Sequence, residues 1–370
     1  MRFSCKRSLL AEAAVLVGQA VASKSTKRVF ECLRLVAGSD GTIEISGTDL
    51  DVAARHRLRE HVSVREGGEA VVPAAVFSGL LREIGDETVT VSHARQKMTI
   101  ETDGGTFEIE CEDPSQFPEI PPFPERGTGS VASADIRALI RKTSFAAGKE
   151  AARYVLNGVR MIVEGGSLRM VACDGRRLAT LVRPIELVPG TEAKPISAIV
   201  GIRGLHHFER VAALVAGSVE VAIADRFVAI RTPHAEVSAR VLDGSFPDYD
   251  QIIPKDCPGK AQVPVGMFLS RIRQAEKFAS IESQAVIVTF RPGEMAISAS
   301  GGDGRADVRL GIEYDGPEEK IGFNPVFVID ALKAVDGETV RIEIKNRNAA
   351  ARICDESGFL CVIMPVLIDS

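Results

Sequence analysis

One passage occurs three times in this chain of 370 residues, and it limits what the chain can fold into. An apolar helical stretch runs into a glycine and then into a strand of alternating residues. The first copy reads Val72-Pro73-Ala74-Ala75-Val76-Phe77-Ser78-Gly79-Leu80-Leu81-Arg82-Glu83-Ile84-Gly85, followed by Thr88-Val89-Thr90-Val91-Ser92. The second spans 205–217 and continues as Ser218-Val219-Glu220-Val221-Ala222-Ile223. The third spans 325–337 and continues as Thr339-Val340-Arg341-Ile342-Glu343-Ile344. Apolar residues at helical spacing bury one face of a helix, and period two marks a half-buried strand. Each glycine is expected to close its helix in the left-handed conformation, which costs no Cβ clash there. The glycines stand at 85, 217 and 337, spacings of 132 and 120 residues. That is the period of a domain, too long for a solenoid.

A second feature accompanies each copy. Hairpins are expected at Gly38-Ser39-Asp40-Gly41, Glu164-Gly165-Gly166 and Arg291-Pro292-Gly293, and amphipathic helices before them over 9–21, 135–147 and 265–279. Proline-bearing stretches separate the copies: Pro114-Ser115-Gln116-Phe117-Pro118-Glu119-Ile120-Pro121-Pro122, and Phe246-Pro247-Asp248-Tyr249 continuing to Pro254. Each third therefore reads as two helices plus a largely antiparallel sheet. The fold class is α+β, in three tandem modules over 1–122, 128–254 and 255–370.

Composition narrows the function. With 45% hydrophobic and 26% charged residues, the chain resembles an ordinary globular protein. It has no Trp and three Tyr, so its cores must be aliphatic and Phe-based. The start, Met1-Arg2-Phe3-Ser4-Cys5-Lys6-Arg7, lacks an apolar signal core, and no run is long enough to span a membrane. The seven cysteines (5, 32, 111, 173, 257, 354, 361) form no CxxC pair, which points to reduced cytoplasmic thiols without a zinc site. A net charge of −5 argues against a uniformly basic nucleic-acid binder, though not against one basic surface.

Five ordered motifs then bring a family into view. They are Gly47-Thr48-Asp49-Leu50-Asp51; Arg153-Tyr154-Val155-Leu156-Asn157-Gly158-Val159 with Val171-Ala172-Cys173-Asp174-Gly175-Arg176-Arg177-Leu178-Ala179; Asp243-Gly244-Ser245-Phe246-Pro247-Asp248-Tyr249; Ile321-Gly322-Phe323-Asn324; and Val362-Ile363-Met364-Pro365-Val366. With the threefold module, they resemble the bacterial DNA-polymerase β sliding clamp over the whole chain. The resemblance implies three clamp modules, two copies closing head to tail as a ring, helices lining the hole, and duplex DNA held without sequence preference. It implies no catalysis and no cofactor. Its partners would be a replicative polymerase, a clamp loader and other proteins carrying a clamp-binding motif.

The resemblance also assigns residues. A partner-peptide pocket would be formed by Leu156, Cys173, Gly175, Arg176, Arg177, Leu178, Pro247, Gln251, Ile252, Val362, Ile363, Met364, Pro365 and Val366. On the residues alone, the C-terminal apolar run finishes the third module's edge strand, a reading compatible with the pocket. DNA-facing groups would be Lys24, Arg82, Arg137, Arg141, Lys142, Arg153, Tyr154, Arg203, Arg210, Arg271, Arg273 and Lys333, with Lys27 and Arg28 beside Lys24. Phosphate contacts of this kind position a duplex without reading it. Without the family, the same cations read as solvated helix faces. For ring closure, Phe107 and Ile109 would meet Lys277 and Phe278 of the next copy.

The chain also departs from the family pattern. Gln251 stands where many relatives have Arg, and the chain ends Leu367-Ile368-Asp369-Ser370. Arg28-Val29-Phe30 replaces a Pro-Ile-Leu stretch, and Ala279-Ser280-Ile281-Glu282-Ser283-Gln284 replaces Asn-Glu-Lys-Phe-Arg. These departures leave open a diverged protein-binding scaffold that does not load on DNA. Enzyme signatures are absent: no Walker A, HExxH or GxSxG occurs. His206-His207 are adjacent on a helix and face apart, Asp49 and Asp51 suit turn capping, and Gly301-Gly302-Asp303-Gly304 suits a tight turn.

Overall fold

The computed structural model describes residues 1–124, 127–149, 151–191, 195–280, 282 and 284–367, with backbone alone for 151–153. Six α-helices stand among them: α1 (Arg7–Gly18), α2 (Ala74–Glu83), α3 (Ser133–Thr143), α4 (Ile202–Ala212), α5 (Val265–Glu276) and α6 (Pro325–Ala334). Two per repeat is the number the sequence leads one to expect. α1 shows why they form. Leu10, Ala13, Ala14 and Val17 recur at helical spacing and are all fully buried. The helix lies so close to its sheet that a Cβ at Gly47 would stand 3.0 Å from a Val17 methyl.

The helix ends differ from expectation. α1 stops at Gly18 and α5 at Glu276, and α3 passes at Thr143 into a short 3-10 turn, Ser144–Ala146. The glycines do not cap. α2 closes on Ile84 at φ −64°, ψ 123°, and α6 on Val335 at φ −69°, ψ 132°. An extended residue carries the chain straight toward the following strand, so no left-handed cap is required. Gly337 does take φ 102°, but in the turn beyond the helix.

Contacts divide the chain into two compact units. Unit one comprises Met1–Arg137, Ile185–Lys194 and Arg203–Val241. Unit two comprises Ala138–Pro184, Pro195–Ile202 and Leu242–Ser370. Each holds one nine-stranded and one smaller antiparallel sheet.

In unit one the long sheet runs Glu186–Leu187, Gly129–Ala132, Ser218–Ile223, Phe227–Arg231, Ala235–Arg240, Val52–Leu58, Ile43–Thr48, Cys32–Ala37, Gly68–Pro73. Its middle joins the first repeat to the second, with Val237 opposite Ala54 and Ala239 opposite Val52. The five-stranded sheet ends on Gly105–Glu110.

In unit two the order is Ile196–Gly201, Gly158–Glu164, Ser167–Cys173, Arg177–Pro184, Leu360–Ile363, Ala351–Cys354, Thr339–Ile344, Gly259–Pro264, Glu313–Asp315. Here the second repeat joins the third, with Leu178 opposite Val362 and Ala179 opposite Cys361. Leu360–Ile363 is the outermost strand of the third repeat, as expected from the sequence, and becomes interior to the joined sheet by pairing with Arg177–Pro184. The four-stranded sheet ends on Gly304–Gly311. The hairpin glycines Gly165 and Gly166 take φ 55° and 74°, the conformation a two-residue turn needs.

All seven cysteines are free and buried. Among the described residues, no helix is long and apolar enough to cross a membrane, and no cluster of three or more His, Cys, Asp or Glu could hold a metal ion.

Candidate functional site

Unit two carries a cavity of about 300 Å³, lined among others by Gly148, Lys149, Leu156, Arg176, Val326 and Phe327. Its builders come from two repeats joined by the shared sheet. The turn before strand Arg177–Pro184 is held by Asp174, whose Oδ1 accepts from the backbone N–H of Arg176 and of Arg177, both at 2.9 Å. Gly175 sits between them at φ 90°, where a side chain would be strained.

Arg177 is the hub. Its Nε donates to Asp174 Oδ2 at 3.0 Å and its Nη1 to Asp330 Oδ2 at 2.8 Å. Its Nη2 donates to the Phe145 carbonyl at 2.7 Å. The guanidinium also lies 4.6 Å from the Phe327 ring centre and 5.5 Å from that of Phe145. α6 reaches this position through its start, where the Asn324 side chain accepts from the Val326 N–H and Pro325 occupies the first turn.

Below the cavity lies an apolar cluster of Leu156, Val171, Cys173, Leu178, Tyr249, Ala350 and Val362, with Phe246 and Ile253 against it. Burial pushes the Cys173 thiol up to about 11, so it remains an unreactive S–H. Above the sheet the chain leaves along the turn. The Met364 N–H donates to the Arg176 carbonyl at 2.8 Å, and the Val366 N–H to the Gly322 carbonyl at 2.8 Å.

The sequence-assigned pocket residues thus fall into three groups. Leu156, Arg176 and Arg177 line the cavity. Cys173, Leu178, Val362 and Ile363 are core beneath it. Met364 and Ile252 are exposed apolar side chains, at 40% and 41%. Pro247 and Gln251 are exposed, Pro365 and Val366 are half-buried, and Gln251 donates to Asp248 at 2.7 Å. Lys149, Asn157, Val326, Phe327 and Asp330 also line the cavity and were not anticipated. The one local signal was Asp330, a carboxylate in a mostly apolar helix.

The proposed DNA-facing cations also separate. Lys24, Arg82, Arg137, Arg141, Arg210, Arg273 and Lys333 are exposed, Arg271 is half-buried, and Tyr154 is 59% exposed. Five helices end on a cation: Arg82, Arg141, Arg210, Arg273 and Lys333 lie in last turns, where they also balance the helix dipole. Lys142 requires correction. It is 2% exposed, and its Nζ lies 2.6 Å from Asp355 and 2.9 Å from Asp336, so it is an interior charge that no phosphate reaches. Arg203 pairs with Asp49. The Arg153 side chain lies outside the described residues, as do Ile281, Ser283 and Ile368 to Ser370.

Of the residues expected at ring closure, Phe107 is 37% exposed, but Ile109 is 6% exposed. The two share one face of their strand, opposite Ile100 and Met98, but only Ile109 is covered there, and it is corrected to core. Lys277 is exposed, and Phe278 is half-buried beside Gly304.

In unit one, a larger cavity of about 740 Å³ opens between α1, α2 and α4. Arg28, Arg82, Arg203 and Arg210 converge on it. His206 is exposed there, whereas burial holds the His207 imidazole down at about 4, leaving it neutral at pH 7.

Comparison with known proteins bears on this arrangement. Three family descriptions match in series: DNA polymerase III beta subunit N-terminal domain over 1–121, central domain over 130–248, and C-terminal domain over 250–366. The Beta sliding clamp of Pseudomonas aeruginosa is 26% identical over 375 residues, covering 99% of this chain and 100% of that protein. That of Bacillus subtilis is 25% identical over 379 residues, covering 99% of each. The crystal structure of the DNA polymerase sliding clamp from Bacillus subtilis superposes with a TM-score of 0.94 at 24% identity, covering both chains fully.

Proposed function

The chain belongs to the DNA polymerase III β subunit family, and from that membership we propose that it is a sliding clamp, a non-catalytic processivity factor for DNA synthesis. What carries the reading is the serial match of three domains across nearly the whole chain, on a fold repeated three times. Two copies, each of modules 1–122, 128–254 and 255–370, close head to tail around duplex DNA in the cytoplasm. Of the residues first assigned to DNA, Lys24, Arg137, Arg141, Arg153, Tyr154, Arg271, Arg273 and Lys333 keep that role here, whereas Arg203 is tied to Asp49 and Arg82 and Arg210 line the unit-one cavity. Such contacts are sequence-independent, and their strength falls as salt rises.

The test is retention. Loaded by a competent clamp loader, the protein should stay on nicked circular duplex and leave when the circle is linearised. Loss from both substrates by an intact dimer would favour the diverged scaffold instead.

For closure, strand Gly105–Glu110 of one copy is placed beside strand Gly304–Gly311 of the next. Each is the outermost strand of its sheet. An outermost strand offers unpaired backbone groups to a partner. Glu108 and Glu110 on the first oppose Arg305 and Arg309 on the second in sign, although Lys97 partly engages the two glutamates, at 3.1 and 3.5 Å. A heterologous contact of this kind closes only by rotation. Arg305→Glu with Arg309→Glu should weaken the dimer at least about tenfold in sedimentation equilibrium, by placing like charges across the joint. An unchanged dimer would put closure elsewhere.

Partners, including the replicative polymerase and the loader, engage the unit-two cavity through extended peptides. Apolar side chains enter beside Leu156, Val326 and Met364, while Arg176 and backbone groups set direction. Met364→Ala should weaken a polymerase-derived peptide by roughly tenfold in fluorescence anisotropy. Unchanged affinity would confine Met364 to a structural role.

A further inference from the structure

Each cavity involves the second helix of the following repeat, and that helix meets a turn built alike in the two units. In unit one, Asp49 Oδ1 accepts from the N–H of Asp51 at 3.1 Å and of Val52 at 2.9 Å, as Asp174 does for Arg176 and Arg177. Leu50 takes φ 81° where Gly175 takes 90°. In each unit the second helix of the following repeat then meets this turn through an ion pair. The polarity is reversed. In unit two α6 supplies the acid, Asp330, to Arg177. In unit one α4 supplies the base, Arg203, to Asp49.

The unit-one cavity is accordingly basic. Of its four arginines, Arg203 is held by Asp49, and Arg28 lies 3.2 Å from Glu112. Arg82 and Arg210 have no ion-pair partner among the described residues, and both are exposed. The one lining carboxylate, Glu31, already accepts from the Ser25 N–H. Between the arginines the wall is apolar: Val15 is half-buried and Val76 is 54% exposed.

We propose that this cleft is a second docking site, taking an extended acidic peptide segment of a partner protein. Its carboxylates pair with Arg82 and Arg210, and an apolar side chain between them covers Val15 and Val76. The apolar wall between the arginines favours a peptide over a duplex, whose phosphate backbone offers no apolar side chain to cover Val15 and Val76. The volume lies within the ordinary range of ligand clefts. Charge complementarity supplies the selection.

The probe is a fluorescein-labelled peptide, Asp-Glu-Leu-Phe-Glu-Asp, titrated by anisotropy with the full chain. Saturable binding that weakens as salt rises is expected. The amide counterpart, Asn-Gln-Leu-Phe-Gln-Asn, should bind at least about tenfold more weakly. Arg82→Ser with Arg210→Ser should cause a similar loss, and Arg82→Lys with Arg210→Lys should keep affinity within about threefold. No saturation below about 1 mM, or equal affinity for the amide peptide, would overturn the proposal. So would displacement of the acidic peptide by closed-circular duplex together with loss of DNA retention in the Ser variant, since the arginines would then belong to DNA.

Discussion

Arg177→Ala is expected to lower the stability of unit two by roughly 3–5 kcal/mol and to abolish measurable peptide binding in its cavity. The guanidinium is 7% exposed and binds two carboxylates, Asp174 and Asp330, whose side chains are 18% and 27% exposed. Truncation leaves both without their cation and removes the donor to the Phe145 carbonyl. An abandoned, largely buried charge is among the few causes of effects this large. The cavity fails with it, because Arg177 holds Asp330 and Phe327 of α6 against the turn. Arg177→Lys should not rescue, since one ammonium cannot reproduce a planar fork that reaches two acids and a carbonyl. Arg176→Ala, at an exposed neighbour, should stay within about 0.5 kcal/mol. Urea unfolding followed in unit two measures both. A chain of two compact units need not unfold in one step, so the midpoint of that transition is the quantity to compare.

The second large effect is expected at Lys142. Its ammonium lies between Asp355, 0% exposed, and Asp336, and also donates to Ser357 Oγ at 2.8 Å. Lys142→Met should cost roughly 3–5 kcal/mol at neutral pH by leaving Asp355 buried and uncompensated. Adding Asp355→Asn should recover most of the loss, because the cost lies in the orphaned charge. The acid response gives an independent check. Burial pushes the Asp355 carboxyl up, but hydrogen bonds from Lys142 and Ser357 outweigh it and leave it below the usual 3.8. A depressed folded value stabilises at every pH above the unfolded value of about 3.9, and that contribution is lost as the pH falls below about 4. In the Met variant Asp355 has lost its cation and resists ionisation. The gap between the two proteins should therefore narrow as the pH falls through this range. A constant gap down to pH 3 would mean that Lys142 contributes by packing alone.

These two residues show where reading the sequence stopped. Local order was legible. The spacing of Leu10, Ala13, Ala14 and Val17 marks one helix face, and the alternation of Val340, Ile342 and Ile344 marks one strand face. Both follow from contacts made within a few residues. Lys142 looked like the neighbour of Arg141 on a solvated helix end, because its partners Asp336 and Asp355 lie about two hundred residues onward and no periodicity links them. A separation of 153 residues likewise hid Asp330 from Arg177, and the pairing of Leu178 with Val362 was as remote. The pocket motifs were recognisable by resemblance, yet that resemblance did not separate Leu156, which lines the cavity, from Cys173 and Leu178, which support it from below. The helix ends were misjudged for a local reason: an extended residue such as Ile84 ends a helix as well as a glycine does.

The long sheets also set a timetable. Strand Val52–Leu58 takes its outer partner from Ala235–Arg240, some 180 residues later in the chain. At ordinary translation speeds of about 5–20 residues per second, the first repeat leaves the ribosome and waits roughly ten to forty seconds with that border unzipped. An open border of this kind invites pairing with the wrong neighbour, including the same strand of a second nascent chain. Newborn molecules on one messenger are thus at their most adhesive midway through synthesis, and shielding by a chaperone would matter most while residues 59–234 are being made.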